Sequence, residues 1–302
     1  MSLQYSEGVL SVNPTNRSIQ ECRIAIFNGY SEFKSFHQIN QTPHYPARGT
    51  RRKIKVFSSR SRKNMLKKLF CLSEYPSLFV TLTYPKLYPA DSYEWKRHLD
   101  NFFRSLRRDF PNSWFFWKLE PQKRGAPHFH LFGELESKIN ISILRKYISE
   151  LWYRICGTGD IKHLKAGTQA DYINDSVGKM RAYVCKYIGK TEGNVNYPEW
   201  ALPGRFWGIH GRTNLPPALA SVINLSHKDF TILRRFVRRW LKRLSPSSRQ
   251  YASRLHSIPS FHLLAPSDVI SRLVEFVSGL TLPPPAPFKE TNERKYPRPI
   301  YC

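Results

Sequence analysis

The chain has 302 residues, 41% of them hydrophobic, and a formal net charge of +26 from 48 lysines and arginines against 22 aspartates and glutamates. This length fits one large domain with appendages or two domains, and the apolar fraction supports a packed core. The charge surplus indicates a polyanionic partner, most often a nucleic acid, with an anionic membrane surface as the alternative. No stretch approaches the roughly 20 apolar residues that cross a bilayer, so we expect no membrane insertion.

The start of the chain lacks a signal-peptide pattern, and the five cysteines are odd in number and far apart. These features argue against a disulfide framework and against a cysteine-rich zinc site. We therefore expect a reducing, cytoplasmic compartment, which is the cytoplasm of the host cell if the chain is viral.

A basic run from Arg48 to Phe70, rich in lysine and arginine and without an acid, precedes the first patterned segment. At this charge density the run is interpreted as an arm that contacts DNA, with a solvated flexible segment as the alternative.

The patterned elements begin near residue 75. In chain order we predict a strand at Leu78–Tyr84, a helix at 92–108 capped by Ser92, strands at Trp114–Glu120 and His128–Leu135 joined by a hairpin loop, and helices at 141–155 and from Asp175 or Ser176 to about Lys190. This order predicts an α+β fold in which an antiparallel sheet carries helices on one face.

The character of the chain changes beyond about residue 225. An apolar stripe in His227–Leu244 lies opposite arginines and lysines, a pattern typical of a helix that binds DNA or lies on a membrane, and the overall charge favours DNA. The predicted organisation is an N-terminal region with the basic arm (1–74), a main domain (75–225), a basic helical extension (226–280) and a proline-rich, disordered tail (281–302).

Two histidines stand two residues apart in a predicted strand. Side chains alternate faces along a strand, so His128 and His130 point the same way. If the two predicted strands pair with even-numbered residues on one face, Glu120 joins the histidines, and the opposite face is apolar, with Phe115, Trp117, Leu119, Phe129 and Leu131. The alternative for Glu120 is a surface acid near basic residues.

Two imidazoles and a carboxylate leave coordination positions open for waters and a substrate phosphate. Such a set suits Mg²⁺ or Mn²⁺, and Zn²⁺ or Fe²⁺ also fit. A non-haem iron oxygenase uses the same ligand types, but it predicts neither the basic charge nor the tyrosines described next.

Two tyrosines and two lysines interleave in the segment Tyr183–Lys190. In a helix, Tyr183 and Tyr187 share a face, and so do Lys186 and Lys190. Nearby ammonium groups favour the phenolate form of tyrosine and hold phosphate, which is typical of a nucleophile. Buried aromatic residues are the alternative interpretation.

Three motifs in this order resemble those of HUH-type replication initiators: FVTLTY at Phe79–Tyr84, PHFHLF at Pro127–Phe132, and YVCKYIGK at Tyr183–Lys190. The paired tyrosines are similar to those of the two-tyrosine initiators of small single-stranded DNA phages. The resemblance implies a ferredoxin-like, RRM-like sheet with the histidines on a central strand and the tyrosines on an adjacent helix.

The resemblance also implies site residues. His128, His130 and Glu120 would bind Mg²⁺ or Mn²⁺, and Tyr187 and Tyr183 would be the nucleophiles. Lys190 and Lys186 match the lysines that follow each tyrosine, and the Tyr187–Lys190 pair fits the single-tyrosine form of the motif best.

The implied activity is sequence-specific nicking and rejoining of single-stranded DNA at a replication origin through a covalent 5′-phosphotyrosine. A single-strand DNA transposase of the same superfamily and a non-enzymatic basic nucleic-acid-binding protein are the alternatives. No P-loop pattern occurs, so unwinding needs a host helicase, followed by a polymerase.

DNA contacts are expected at Thr81, Thr83, Arg124, Arg205 and Arg212. The last two lie in GRFWGIHGR (204–212), whose aromatic residues either stack on bases or are buried as Phe206 and Trp207.

Overall fold

The computed structural model describes residues 21–27, 30–36, 57–173, 204–217 and 220–279, apart from 245, 257, 259, 264, 266 and 278. The predicted helix from Asp175 or Ser176 to Lys190, with Tyr183, Lys186, Tyr187 and Lys190, lies outside these residues, as do most of the basic run and the tail.

The described residues form an α+β fold, as predicted, with two antiparallel sheets. The strands are β1 (Glu21–Ile26), β2 (Ser31–Phe36), β3 (Leu78–Thr83), β4 (Trp114–Pro121), β5 (Pro127–Glu134), β6 (Thr168–Tyr172), β7 (Trp207–His210), β8 (Ser221–Leu225) and β9 (Ser260–Leu263). The helices are α1 (Ser59–Phe70), α2 (Ser92–Asp109), α3 (Ile141–Cys156), α4 (Ile161–Ala166), α5 (His227–Leu244), α6 (Pro246–Arg254) and α7 (Ser267–Val277).

The larger sheet has the strand order β6-β3-β5-β4-β7. Its first four strands, linked by α2 and α3, have the connectivity of the predicted ferredoxin-like sheet, and β7 extends it at the β4 edge. The strand β5, which carries both histidines, is the central strand of the five, as the resemblance implies.

The N-cap of α2 lies one residue before the predicted position. Asp91, with extended backbone, is the N-cap, and its carboxylate accepts a hydrogen bond from the Tyr93 N–H at 2.9 Å. The prediction of Ser92 as the cap is wrong because Ser92 is already the first helical residue, and the Asp91 side chain supplies the acceptor for the free N–H groups of the first turn.

One face of the larger sheet packs on α2 and α3. The buried residues there include Phe115, Leu119, Phe129 and Leu131, with Trp117 partly buried beside them. This confirms the apolar face predicted from strand alternation.

Part of the other face of this sheet is covered by α1. Met65, Leu66, Leu69 and Phe70 are buried against a cluster that includes Phe116. The prediction of an arm is therefore wrong for Ser59–Phe70, because four apolar residues one turn apart give this basic segment a packing face.

The smaller sheet, in the order β8-β1-β2-β9, joins strands from both ends of the chain. Its core includes Ile24 and Phe33 together with Phe230, Leu233 and Val237 of α5. Strands of the region predicted as 1–74 thus pair with strands on both sides of the predicted boundary at 225, and the C-terminal part contains β9 as well as helices.

The stripe of α5 that the sequence left open to a membrane is packed inside the protein. Phe230, Leu233, Val237 and Leu241 are buried, so this apolar face is not available to lipid. Nor is any helix in the described ranges both long enough and apolar enough to cross a bilayer.

Candidate functional site

The candidate site lies where β3, β4 and β5 run side by side on the face opposite α2 and α3. His128 is directly opposite Glu120 of β4 and Thr83 of β3. His130 is opposite Lys118 and Thr81 in the same way. The register predicted from the alternation of side chains is confirmed, and it brings the histidines and Glu120 together.

Glu120 forms the centre of a buried ionic cluster. Its Oε1 lies 2.6 Å from His130 Nε2, and its Oε2 accepts a hydrogen bond from Lys118 Nζ at 2.9 Å. Burial of the carboxyl opposes ionisation, but the hydrogen bond and charge of His130 and the contacts of Lys118 outweigh it and lower the pKa of Glu120 to about 2. The carboxylate is therefore ionised at neutral pH.

Lys118 was missed by the sequence reasoning, although strand parity could have found it. It is an even-numbered residue of β4, like Glu120, and its side chain is completely buried. A buried ammonium requires a partner, and Glu120 supplies one. Lys118 also lies 5.2 Å from the centroid of the Phe57 ring, so an aromatic face covers the other side of the cation.

His128 is held by β3. Its Nδ1 lies 2.9 Å from the Thr83 hydroxyl, and its ring centroid is 4.4 Å from that of His130. Burial and the neighbouring His130 lower the pKa of His128 to about 4, against an opposing effect of Glu120. The imidazole is neutral at neutral pH, which is the form that binds a metal ion.

Two further side chains hold the end of β3 in place. Trp152 Nε1 donates to the Thr83 carbonyl at 2.9 Å, and His163 Nε2 lies 2.9 Å from the same oxygen. Gly167 is required beside them, because a Cβ there would lie 2.3 Å from the His163 ring. No sequence pattern marks His163, which α4 brings to Thr83 from 80 residues away.

The donor chemistry fits a divalent ion, but the side chains are not arranged around one. In the described part of the chain, no group of three or more histidine, cysteine, aspartate or glutamate side chains is positioned to hold a metal. Glu120 instead contacts His130 directly at 2.6 Å. Two ligands at right angles, each about 2.1 Å from an ion, are about 3 Å apart, so a small movement of Glu120 opens a position between them.

The residues predicted to contact DNA have unequal freedom. Thr81 and Thr83 lie within the sheet beside the histidines, Thr81 being 9% exposed. Arg124 is used inside the protein, since its guanidinium donates to the carbonyls of Tyr84 and of Pro85, the latter at 2.8 Å. Its contact with DNA stays a prediction, and these bonds indicate that it fixes the β4–β5 loop against β3.

The segment after residue 204 is divided between core and surface. Phe206 is buried and Trp207 Nε1 donates to the Ser61 hydroxyl at 2.8 Å, so the interpretation of these rings as packed residues fits. Base stacking on them does not. Arg205 and Arg212 are exposed, and Arg212 borders a cleft between α2 and β7.

The polar face of α5 is strongly basic. Arg235, Arg239, Lys242 and Arg243 are exposed on it, while the opposite face is buried in the core of the smaller sheet. Anchored in this way, the helix presents a rigid row of cations, which suits a phosphate backbone.

A comparison with known families gives one match. The family model for the replication-associated protein ORF2 matches residues 77–192, a segment that contains β3 to β6 and all three motifs. Searches of curated proteins and of solved structures gave no match. The match supports a role in DNA replication, with DNA as the partner.

Proposed function

We propose that the protein is a rolling-circle replication initiator that nicks and rejoins single-stranded DNA at an origin. The observation that carries this proposal is the cluster of Glu120, His128 and His130 on the central strands of a sheet within the segment similar to replication-associated proteins. A purely DNA-binding protein has no use for a buried carboxylate held between a histidine and a lysine.

In the proposed reaction, a phenol oxygen of Tyr187 or Tyr183 attacks a DNA phosphorus. The new bond is a 5′-phosphotyrosine, the P–O3′ bond breaks, and the leaving oxygen takes a proton to become a 3′-hydroxyl. Reversal by that hydroxyl rejoins the strand. Lys190 and Lys186 favour the phenolate and hold the scissile phosphate.

We propose that His128, His130 and Glu120 bind Mg²⁺ or Mn²⁺. The ion would polarise the scissile phosphodiester and balance the charge of the displacement. Thr83 leaves Nε2 of His128 for this purpose, since Nδ1 already has a partner. Lys118 keeps Glu120 ionised and oriented in the absence of the ion.

Further partners follow from the activity. The nick supplies a 3′-hydroxyl for a polymerase, and the displaced strand needs a helicase, both of which we expect from the host. The basic face of α5 supports binding of DNA next to the nicked strand.

A covalent-adduct assay tests the proposal. The protein is incubated with Mn²⁺ and a set of labelled single-stranded origin oligonucleotides, and the products are separated on a denaturing gel. We expect an adduct that disappears with EDTA, with His128→Ala and with Tyr187→Phe. Absence of an adduct across all sequences would leave a non-enzymatic DNA-binding protein as the better account.

Matched variants separate chemistry from general damage. Tyr93 is 81% exposed, so Tyr93→Phe should leave the adduct yield unchanged. His227, exposed at the start of α5, serves in the same way for the histidines. An adduct that survives Tyr187→Phe but not Tyr183→Phe would make Tyr183 the primary nucleophile.

A further inference from the structure

A second site lies on the other side of the larger sheet. A cleft of about 460 Å³ opens between α2 and β7, and Arg104, Arg107 and Arg212 line it together with Trp117. Trp117 is an odd-numbered residue of β4, so it faces away from Glu120 and the histidines. The cleft is therefore separate from the candidate nuclease site.

Aromatic rings form the floor of the cleft. The rings of Phe103 and His210 are stacked with centroids 4.4 Å apart and an angle of 8° between their planes. Trp117 continues this floor across β4, where it faces Gly208. A Cβ at Gly208 would lie 2.8 Å from the indole, so the absence of a side chain there lets Trp117 lie flat on β7.

The floor is fixed in position by a lysine. Lys96 Nζ lies 4.1 Å from the centroid of the Trp117 ring and donates to the carbonyl of Arg205 at 2.6 Å. This links α2 to the chain just before β7. The cleft is thus a built feature between two anchored elements.

The rim of the cleft is cationic. Arg104 and Arg107 are exposed one turn apart on α2, and Arg212 follows the end of β7. Within the described ranges none of the three forms an ion pair, and Asp100 is the single carboxylate that lines the cleft. Three guanidinium groups around one concavity repel one another, and an anion relieves that repulsion.

We propose that this cleft binds the backbone phosphates of single-stranded DNA that flanks the nicked position, with a base against the aromatic floor. Cations that follow the backbone and rings that meet the bases are the two elements of single-strand binding. The volume lies in the range of about 300–1,000 Å³ that small ligands occupy, which suits a nucleotide unit. A duplex, whose major groove alone is about 12 Å wide, does not enter it. The choice of DNA rests on the proposed function.

Equilibrium binding of the full chain tests the site without any cleavage. A labelled oligothymidylate of about 20 nucleotides is titrated in EDTA and followed by fluorescence anisotropy at several salt concentrations. In the cleft variant, Arg104→Gln, Arg107→Gln and Arg212→Gln are combined. We expect its affinity to fall about tenfold, and the slope of log K against log salt to decrease by about 2, because each single-strand phosphate contact contributes about 0.7.

A control variant removes the same charge elsewhere. Lys138→Gln, Lys146→Gln and Lys162→Gln alter three exposed lysines before, within and after α3. We expect less than a twofold loss of affinity for this control. Equal losses for the cleft and control variants overturn the proposal, as does a loss for the cleft variant that is as large on a duplex of the same length.

Two further measurements separate the possible failures. Replacing the three cleft arginines by lysine keeps the charge and should restore affinity to within about threefold, whereas affinity as low as that of the glutamine variant would point to structural damage and overturn the assignment. With Mn²⁺ and saturating DNA, the cleft variant should still form the tyrosine adduct. Absence of an adduct from the unmodified protein contradicts the proposed nuclease and leaves the binding result intact.

Discussion

Replacement of Glu120 by glutamine is the sharpest test of the buried cluster. The substitution keeps the size of the side chain and removes its charge. Glutamine retains an oxygen for Lys118 but no longer neutralises the buried ammonium. We therefore expect a loss of stability at neutral pH and a change in how stability depends on pH.

The magnitude follows from the pKa of Glu120, which falls from 4.5 to about 2 on folding. One pKa unit corresponds to about 1.4 kcal/mol, so the ionised carboxylate stabilises the folded state by about 3 kcal/mol. Because the pKa is lower in the folded state, this contribution is present above pH 4.5. It is lost as the pH falls from about 4.5 to about 2.

Urea unfolding followed by circular dichroism between about pH 2 and pH 7 measures this effect. The unmodified protein should lose about 3 kcal/mol more than Glu120→Gln over the acid range. Glu150→Gln, at a carboxylate exposed on α3, should follow the unmodified protein. Parallel curves for Glu120→Gln and the unmodified protein would refute the account of the cluster.

Three other substitutions test separate parts of the molecule. A Cβ on Gly133 would lie 2.1 Å from a backbone oxygen of β4, so Gly133→Ala should lower the free energy of unfolding by about 2 kcal/mol, measured in urea. Thr83→Val removes the hydroxyl that holds His128 and should lower the adduct yield about tenfold without loss of fold; an unchanged yield would contradict the positioning role. Arg239→Gln combined with Arg243→Gln on α5 should weaken duplex binding and reduce its salt dependence, and a salt slope equal to that of the unmodified protein would exclude that face.

Local patterns predicted much of the larger sheet because its strands alternate and its helices have clear apolar stripes. The strand at Leu78–Thr83 and the helix at Ile141–Cys156 lie within one residue of their predicted bounds. The opposition of Glu120 and His128 also followed from local rules, since a short hairpin loop restricts the register to few choices.

The basic run shows where local patterns were misleading. Its high charge suggested an arm, yet α1 packs Leu66 and Leu69 against the sheet. A charged helix can bury one face while its lysines and arginines remain at the surface. The apolar partner surface, from Phe116 and its neighbours, belongs to strands that come much later in the chain, so composition alone does not reveal it.

The sequence by itself determined the basic charge, the paired histidines with Glu120, and the order of strands and helices around them, because charge and periodicity are local properties. Only the tertiary structure decided that Lys118 is the buried counterion of Glu120 and that β1 and β2 pair with β8 and β9. It also decided that Arg104 and Arg212 share one cleft. These contacts join segments through the packing of whole elements, and their energies depend on burial that no local pattern specifies.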